Sequence, residues 1–164
     1  MQELLDSVAG RRILVVGDLM LDQYTWGDAS RISPEAPVPV VDVSRETQVA
    51  GGAANVALNL RSLGAEAEVC GWVGRDAAGD TLAGLLAARG IGLEPDFQSE
   101  SRTTIVKTRV MVGNQQLCRL DREDVPAGYA FGPEEVGRVV ERAVGVDAVI
   151  FSDYGKGSLS AELV

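Results

Sequence analysis

Four groups of residues have the types and spacing to do chemistry. Asp18 and Asp22 bracket Leu19-Met20-Leu21 directly after the apolar run Ile13-Leu14-Val15-Val16-Gly17. Carboxylates at the carboxyl end of a buried strand are placed to grip hydroxyls or a metal. The plainer alternative is that Asp18 caps a turn and Asp22 is solvated. Gly51-Gly52-Ala53-Ala54-Asn55 opens a helical pattern, so its glycines sit where the first helical N–H groups lack partners and a polar ligand can approach the backbone. Read plainly, it is a tight loop into a helix. Lys107 and Arg109 share one face of a β-branched run by the period-2 rule. Together they suit a phosphate, Arg by its planar fork and Lys as a point charge, or form an ordinary solvated face. Asp153 and Lys156 lie in Ser152-Asp153-Tyr154-Gly155-Lys156-Gly157-Ser158, after another apolar run. A lysine among glycines there neutralises phosphate charge or simply points to solvent.

The composition removes several other chemistries. The chain has 164 residues and no histidine, which rules out His general bases, Ser-His triads and His metal sites. Cys70 and Cys118 are isolated, so a disulfide scaffold or Cys zinc site is unsupported and both are expected as buried reduced thiols. Neither GxGxxG nor GxxxxGK[ST] occurs, which disfavours a dinucleotide fingerprint and a Walker-type loop. A net charge of −9 argues against a general nucleic-acid or anionic-membrane binder. The early acidic residues and the lack of an apolar segment of signal or membrane-spanning length predict a cytoplasmic protein.

The elements that must position these groups read as an alternating α/β pattern. A short amphipathic helix is expected from Leu4, Leu5 and Val8, ending near Gly10, before a buried strand at 12–17. Short strands follow at Tyr24–Trp26 and Val38–Val43. The three prolines at 34, 37 and 39 between them demand an extended edge segment or a lid. The glycine-led helix turns Val56, Leu60 and Leu63 to one face, with Gly64 behind it. Glu68 to Gly74 reads as a second buried strand, and Asp76 caps a helix carrying Leu82, Leu85 and Leu86, stopped by Gly90. Thr103–Val112 and Gln115–Leu120 form a hairpin about Gly113-Asn114. Asp121 to Gly132 is linker-like, Pro133 opens a helix, and 147–151 is a third buried strand that leads toward a further helix.

From Ile13 to about Ser158 the chain resembles the PfkB/ribokinase family of sugar kinases. The resemblance rests on Gly51-Gly52-Ala53-Ala54-Asn55 preceded by Val15-Val16-Gly17-Asp18, Met20-Leu21 and Asp22. Narrower matches are Ser30 to Val40, Asn114-Gln115-Gln116-Leu117 with Arg119-Leu120-Asp121, and Ser152 to Gly157, which point to the family's heptose branch. The fold so implied is α/β: a ribokinase-like three-layer α/β/α (Rossmann-like) core with a small β-sheet lid, its C-terminal part missing. The core would take about 11–22, 44–100 and 121–164, and the lid about 23–43 and 101–120. The reaction implied is ATP-dependent phosphorylation of D-glycero-D-manno-heptose 7-phosphate at its anomeric hydroxyl, feeding ADP-heptose and lipopolysaccharide core synthesis. ATP and Mg2+ are implied as cofactors, a homodimer through the lid as the assembly, and an adenylyltransferase domain downstream.

Carried over by position, Asp22 binds sugar hydroxyls and Gly51, Gly52 and Asn55 line the sugar pocket. Lys107 and Arg109 are assigned here to the substrate's own phosphate, and Asp153 and Lys156 to the phosphate and nucleotide region. The family's Gly-Ala-Gly-Asp motif, which supplies the aspartate base, does not occur in these residues. The chain is therefore expected to be a fragment without the catalytic base or most of the ATP site, and inactive alone. Two other readings stay open: a PfkB kinase for another sugar, and a non-catalytic sugar-phosphate-binding or assembly module.

Overall fold

A computed structural model describes residues 7–160 and 163. In chain order the elements are β1 (Arg12–Gly17), β2 (Leu19–Ile32), β3 (Pro39–Gly51), α1 (Gly52–Ser62), β4 (Glu66–Cys70), β5 (Val73–Gly74), α2 (Ala77–Ala87), β6 (Gln98–Ser99), β7 (Ile105–Val112), β8 (Gln115–Arg122), α3 (Pro133–Ala143) and β9 (Ala148–Ser152). Leu4 and Leu5 of the expected first helix lie outside the described residues, as does part of the helix expected beyond Ser158. Among the described residues, no helix is long and apolar enough to cross a membrane.

The core sheet is parallel, in the order β4-β1-β9. Its central strand is apolar and buried from Ile13 to Gly17 because both faces are covered. Val15 points into one cluster with Leu19, Ala53, Ala57, Leu82 and Leu86. Leu14 and Val16 point into the other, with Trp72, Phe97, Tyr129 and Val139. The expected strand at 68–74 is broken: β4 ends at Cys70, and Val73–Gly74 pairs with Gln98–Ser99 in a separate two-stranded sheet. Gly71 explains the break, since a Cβ there would meet the carbonyl oxygen of Gly17 and the Leu19 side chain.

The second sheet, β3-β2-β7-β8, is built from two long strands and a hairpin. The short strands expected at Tyr24–Trp26 and Val38–Val43 are parts of the long β2 and β3. β1 ends at Gly17, and after Asp18 the apolar start of β2 runs on into the polar, aromatic lid, so residues 19–22 and 44–51 belong to its sheet. Pro39 opens β3 at the sheet edge, where a missing N–H is tolerated, and Pro34 and Pro37 lie in the turn before it. Within α1 the buried residues are Gly52, Ala53, Ala54 and Ala57. Leu63 is exposed and Val56 and Leu60 only flank the core, because the helix lies too close to the sheet for large side chains. Gly64, at φ +89°, ends it as expected.

The base of the lid is tied to the core by polar contacts. The Asp76 carboxylate caps α2 by accepting from Gly79 N at 2.8 Å and accepts from Thr104 N at 3.0 Å. Burial opposes its charge, but the N–H groups of Thr104 and Gly79 outweigh that and hold the carboxyl below its usual value. The supposed linker at 121–132 is pinned rather than loose. Asp124 accepts from Thr103 N at 2.7 Å, and the buried Tyr129 hydroxyl donates to Thr103 O and accepts from Asp124 N, each at 2.8 Å. Arg102 lies 3.5 Å over the Trp72 ring and donates to Gly128 O at 2.6 Å.

Candidate functional site

Period-2 alternation and strand register put Asp22 on one lid face with Tyr24, Lys107, Arg109, Arg119 and Asp121. Arg109 donates to the Asp22 carboxylate at 2.5 Å, and its guanidinium stands 5.3 Å from the Tyr24 ring. Lys107 lies 3.6 Å from Asp121, which also takes a two-point contact from Arg119 at 2.7 and 2.9 Å. The Arg119 fork, with help from Lys107, holds the Asp121 carboxyl below its usual value. Three cations thus face two carboxylates, a surplus of positive charge that suits an anionic ligand. Arg119 and Asp121 enter the sequence reading only as part of the family match and carry no site role there. A two-residue turn at Gly113-Asn114 pairs Val112 with Gln115 and Met111 with Gln116, a register that would set Lys107 opposite Leu120. The irregularity between Val110 and Met111 shifts it by one, so Lys107 faces Asp121 and Arg109 faces Arg119.

The glycine pair joins this lid face to the core. A Cβ on Gly51 would strike the Asp22 carboxylate, and one on Gly52 would strike the carbonyl of Asp18 and sit 3.0 Å from Met20 Cε. Gly52 also has φ +56°, which disfavours any side chain. The absent side chains therefore admit the chain's own β1–β2 junction to the start of α1, rather than leaving open space for a ligand. Asn55 is exposed on the first turn of that helix. Asp22, Gly51, Gly52 and Arg109 converge; Asp153 and Lys156 form a second group.

That second group is organised by Asp18, which is fully buried. Its carboxylate accepts from the backbone N–H groups of Tyr154, Lys156 and Ser158 at 2.9, 3.0 and 3.2 Å. Asp153 accepts from Gly155 N at 2.7 Å. The loop's backbone donors are thus occupied from within, and its capacity for phosphate rests on the Lys156 side chain. That ammonium donates to Glu123 at 2.7 Å, just beyond β8. Asp18 does more than cap a turn; its position at the end of a buried strand was the only sequence signal for this. Of the thiols, Cys70 is buried and pushed up to about 12 by burial, whereas Cys118 is exposed because β8 is a sheet edge. A cleft of about 250 Å³ between Gln23, Thr108, Leu120 and Arg122 opens on the opposite lid face and holds none of the predicted site residues.

Comparison with known proteins gives a consistent picture. The pfkB family carbohydrate kinase profile matches residues 11–125. Bifunctional protein HldE of Desulfatibacillum aliphaticivorans is 47% identical over 157 residues, covering 93% of this chain and 32% of that protein. Its counterpart in Helicobacter pylori is 45% identical over 154 residues, covering 93% and 33%. The chain spans about a third of the length of these relatives. Among solved structures, a carbohydrate kinase from Agrobacterium tumefaciens superposes with a TM-score of 0.70 at 24% identity, over 86% of this chain and 45% of that one. Ribokinase from Cryptococcus neoformans in complex with ADP gives 0.52 at 20%, over 76% and 37%. These likenesses show a ribokinase-like α/β fold.

Proposed function

This chain belongs to the pfkB family of carbohydrate kinases, and on that premise we propose that it forms the sugar-binding and lid region of an ATP-dependent heptose 7-phosphate kinase. The observation that carries the reading is the junction of Asp22 on the lid with Gly51 at the start of α1, closed by Arg109. A carboxylate held there accepts hydrogen from sugar hydroxyls. Arg109 and Lys107, which together with Arg119 outnumber Asp22 and Asp121, receive the phosphate that the substrate already carries. Exchange of Arg109 from Asp22 to that phosphate frees the carboxylate for the sugar, so one event prepares both contacts. Gly52 and Asn55 are assigned to the same pocket on the family resemblance, Gly52 by setting the start of α1 against Asp18.

ATP, with Mg2+, supplies the phosphoryl group that passes to the anomeric oxygen. Lys156 is assigned to the nucleotide's phosphate charge, and Asp153 shapes its loop by accepting from Gly155 N. The hydroxyl proton needs a base. Asp18 is saturated by three N–H groups, and Asp22, once freed, is assigned to binding sugar hydroxyls, so the base is assigned to the Gly-Ala-Gly-Asp motif, which does not occur in these residues. The name of the HldE relatives, bifunctional, fits an adenylyltransferase fused downstream. A homodimer through the lid is supported by β8, exposed along its length and carrying Leu117 and Leu120 at the surface. ADP release by the polypeptide its gene encodes, measured against heptose 7-phosphate, ribose and a ketodeoxy-sugar, tests the assignment. Preference for heptose 7-phosphate is expected; faster turnover of another sugar, or none of any, overturns it.

A further inference from the structure

We propose that Asp18 is a positioning residue that presents the Lys156 ammonium to phosphate by holding the Tyr154–Ser158 loop on its buried carboxylate. The proposal rests on the kinase reading of Lys156. Three segments meet at Asp18. Its N–H donates to Ser152 O at 3.2 Å, its carbonyl accepts from Ala53 N at 2.9 Å, and its carboxylate gathers the loop. It thereby fixes the end of β9, the start of α1 and the lysine loop relative to one another.

The loop's geometry is made for this acceptor. Gly155 and Gly157 have φ of +68° and +102°, and these left-handed kinks turn the alternate N–H groups of Tyr154, Lys156 and Ser158, before, between and after them, toward one carboxylate. Among the described residues no cation pairs with the carboxylate; three amide dipoles face it, and without it the buried Ser158 N–H and the part-buried N–H groups of Tyr154 and Lys156 would lose their acceptor. With the backbone fixed from below, the Lys156 head is fixed from the side by Glu123, and a Cβ on Gly157 would strike the Pro126 carbonyl. The Lys156 side chain is only 18% exposed. Its place therefore follows from Asp18 and Glu123 together, not from its own rotamer preference.

Asp18→Asn keeps the shape but turns an acceptor into a donor against N–H groups. In the polypeptide its gene encodes, kcat is expected to fall about 10- to 100-fold, with the sugar-phosphate KM changed less than about threefold. In a Lys156→Gln background the same substitution should cost little more, because both act through one group. Losses that multiply would mark a merely structural role and overturn the proposal. Amide hydrogen exchange on the wild-type chain gives a test that needs no variant: slow exchange at Tyr154, Lys156 and Ser158 against fast exchange at Gly157 is expected. Uniformly fast exchange across the loop refutes the anchoring itself. If those three amides are slow but Lys156→Gln leaves kcat intact, the anchor stands as geometry and the phosphate role fails.

Discussion

Replacing Asp76 tests whether the lid base and the core are joined as described. Asp76→Ala removes the acceptor from Gly79 N, an N-cap loss of about 1 kcal/mol. It also strands Thr104 N, whose bond to Asp76 begins the lid strand, at a cost of about 1–3 kcal/mol. The sum is about 3 kcal/mol, or about 6–12 °C in Tm for a chain of this size. Asp76→Asn retains one acceptor oxygen and should lose about half as much. The carboxyl is held below its ordinary 3.8 in the folded chain, so its charge stabilises fully above 3.8, and that stabilisation is lost as pH falls through the folded value. The gap between wild type and Asp76→Asn should therefore be widest near neutrality and close under acid. Urea unfolding of the three proteins across that range is the assay. Equal stability at neutral pH, or a gap that widens on acidification, would refute the reasoning.

Other consequences are equally direct. Arg109→Ala should raise KM for the sugar phosphate about 10-fold or more, as loss of a charge-assisted contact predicts, with little change in KM for ATP; comparable effects on both sink the phosphate assignment. Gly52→Ala, at φ +56° and against the Asp18 carbonyl, should cost about 2–4 kcal/mol from strain and overpacking, read by urea unfolding. A neutral result there would deny the close approach of the β1–β2 junction. In the native chain a thiol reagent should modify Cys118 at once and Cys70 only on unfolding, since burial pushes the Cys70 thiol up to about 12; mass spectrometry of the labelled peptides reads which was modified.

The elements whose pattern is local were legible in the sequence. The apolar run of β1, the Asp76 cap, Gly64 and the Gly113-Asn114 hairpin all appear where composition and periodicity put them, whereas the expected strand at 68–74 is broken and β9, at the sheet edge, is only partly buried. What was not legible depends on distance between segments. The Ala face of α1 shows that closeness to the sheet, not hydrophobic size, chose the buried residues. The unbroken run of β2 from core to lid has no sequence mark at Leu21-Asp22, where the environment changes. Asp22 and Arg109, 87 positions apart, had been given different jobs and stand in contact. Asp121 and Arg119 were hidden by a single bulge, and Asp18 by the reach of its carboxylate to a loop 136 to 140 residues on.

The most direct test of the account is kcat/KM for heptose 7-phosphate in wild type and Asp22→Asn, with KM for ATP measured beside it. The amide keeps the size of the side chain at Gly51 but removes the charge that grips hydroxyls and pairs with Arg109. The account predicts a fall of about 10- to 100-fold in kcat/KM for the sugar phosphate, and KM for ATP unchanged within about twofold. An unchanged kcat/KM, with activity still present, would contradict the claim that the lid carboxylate and the glycine-led helix form the sugar site.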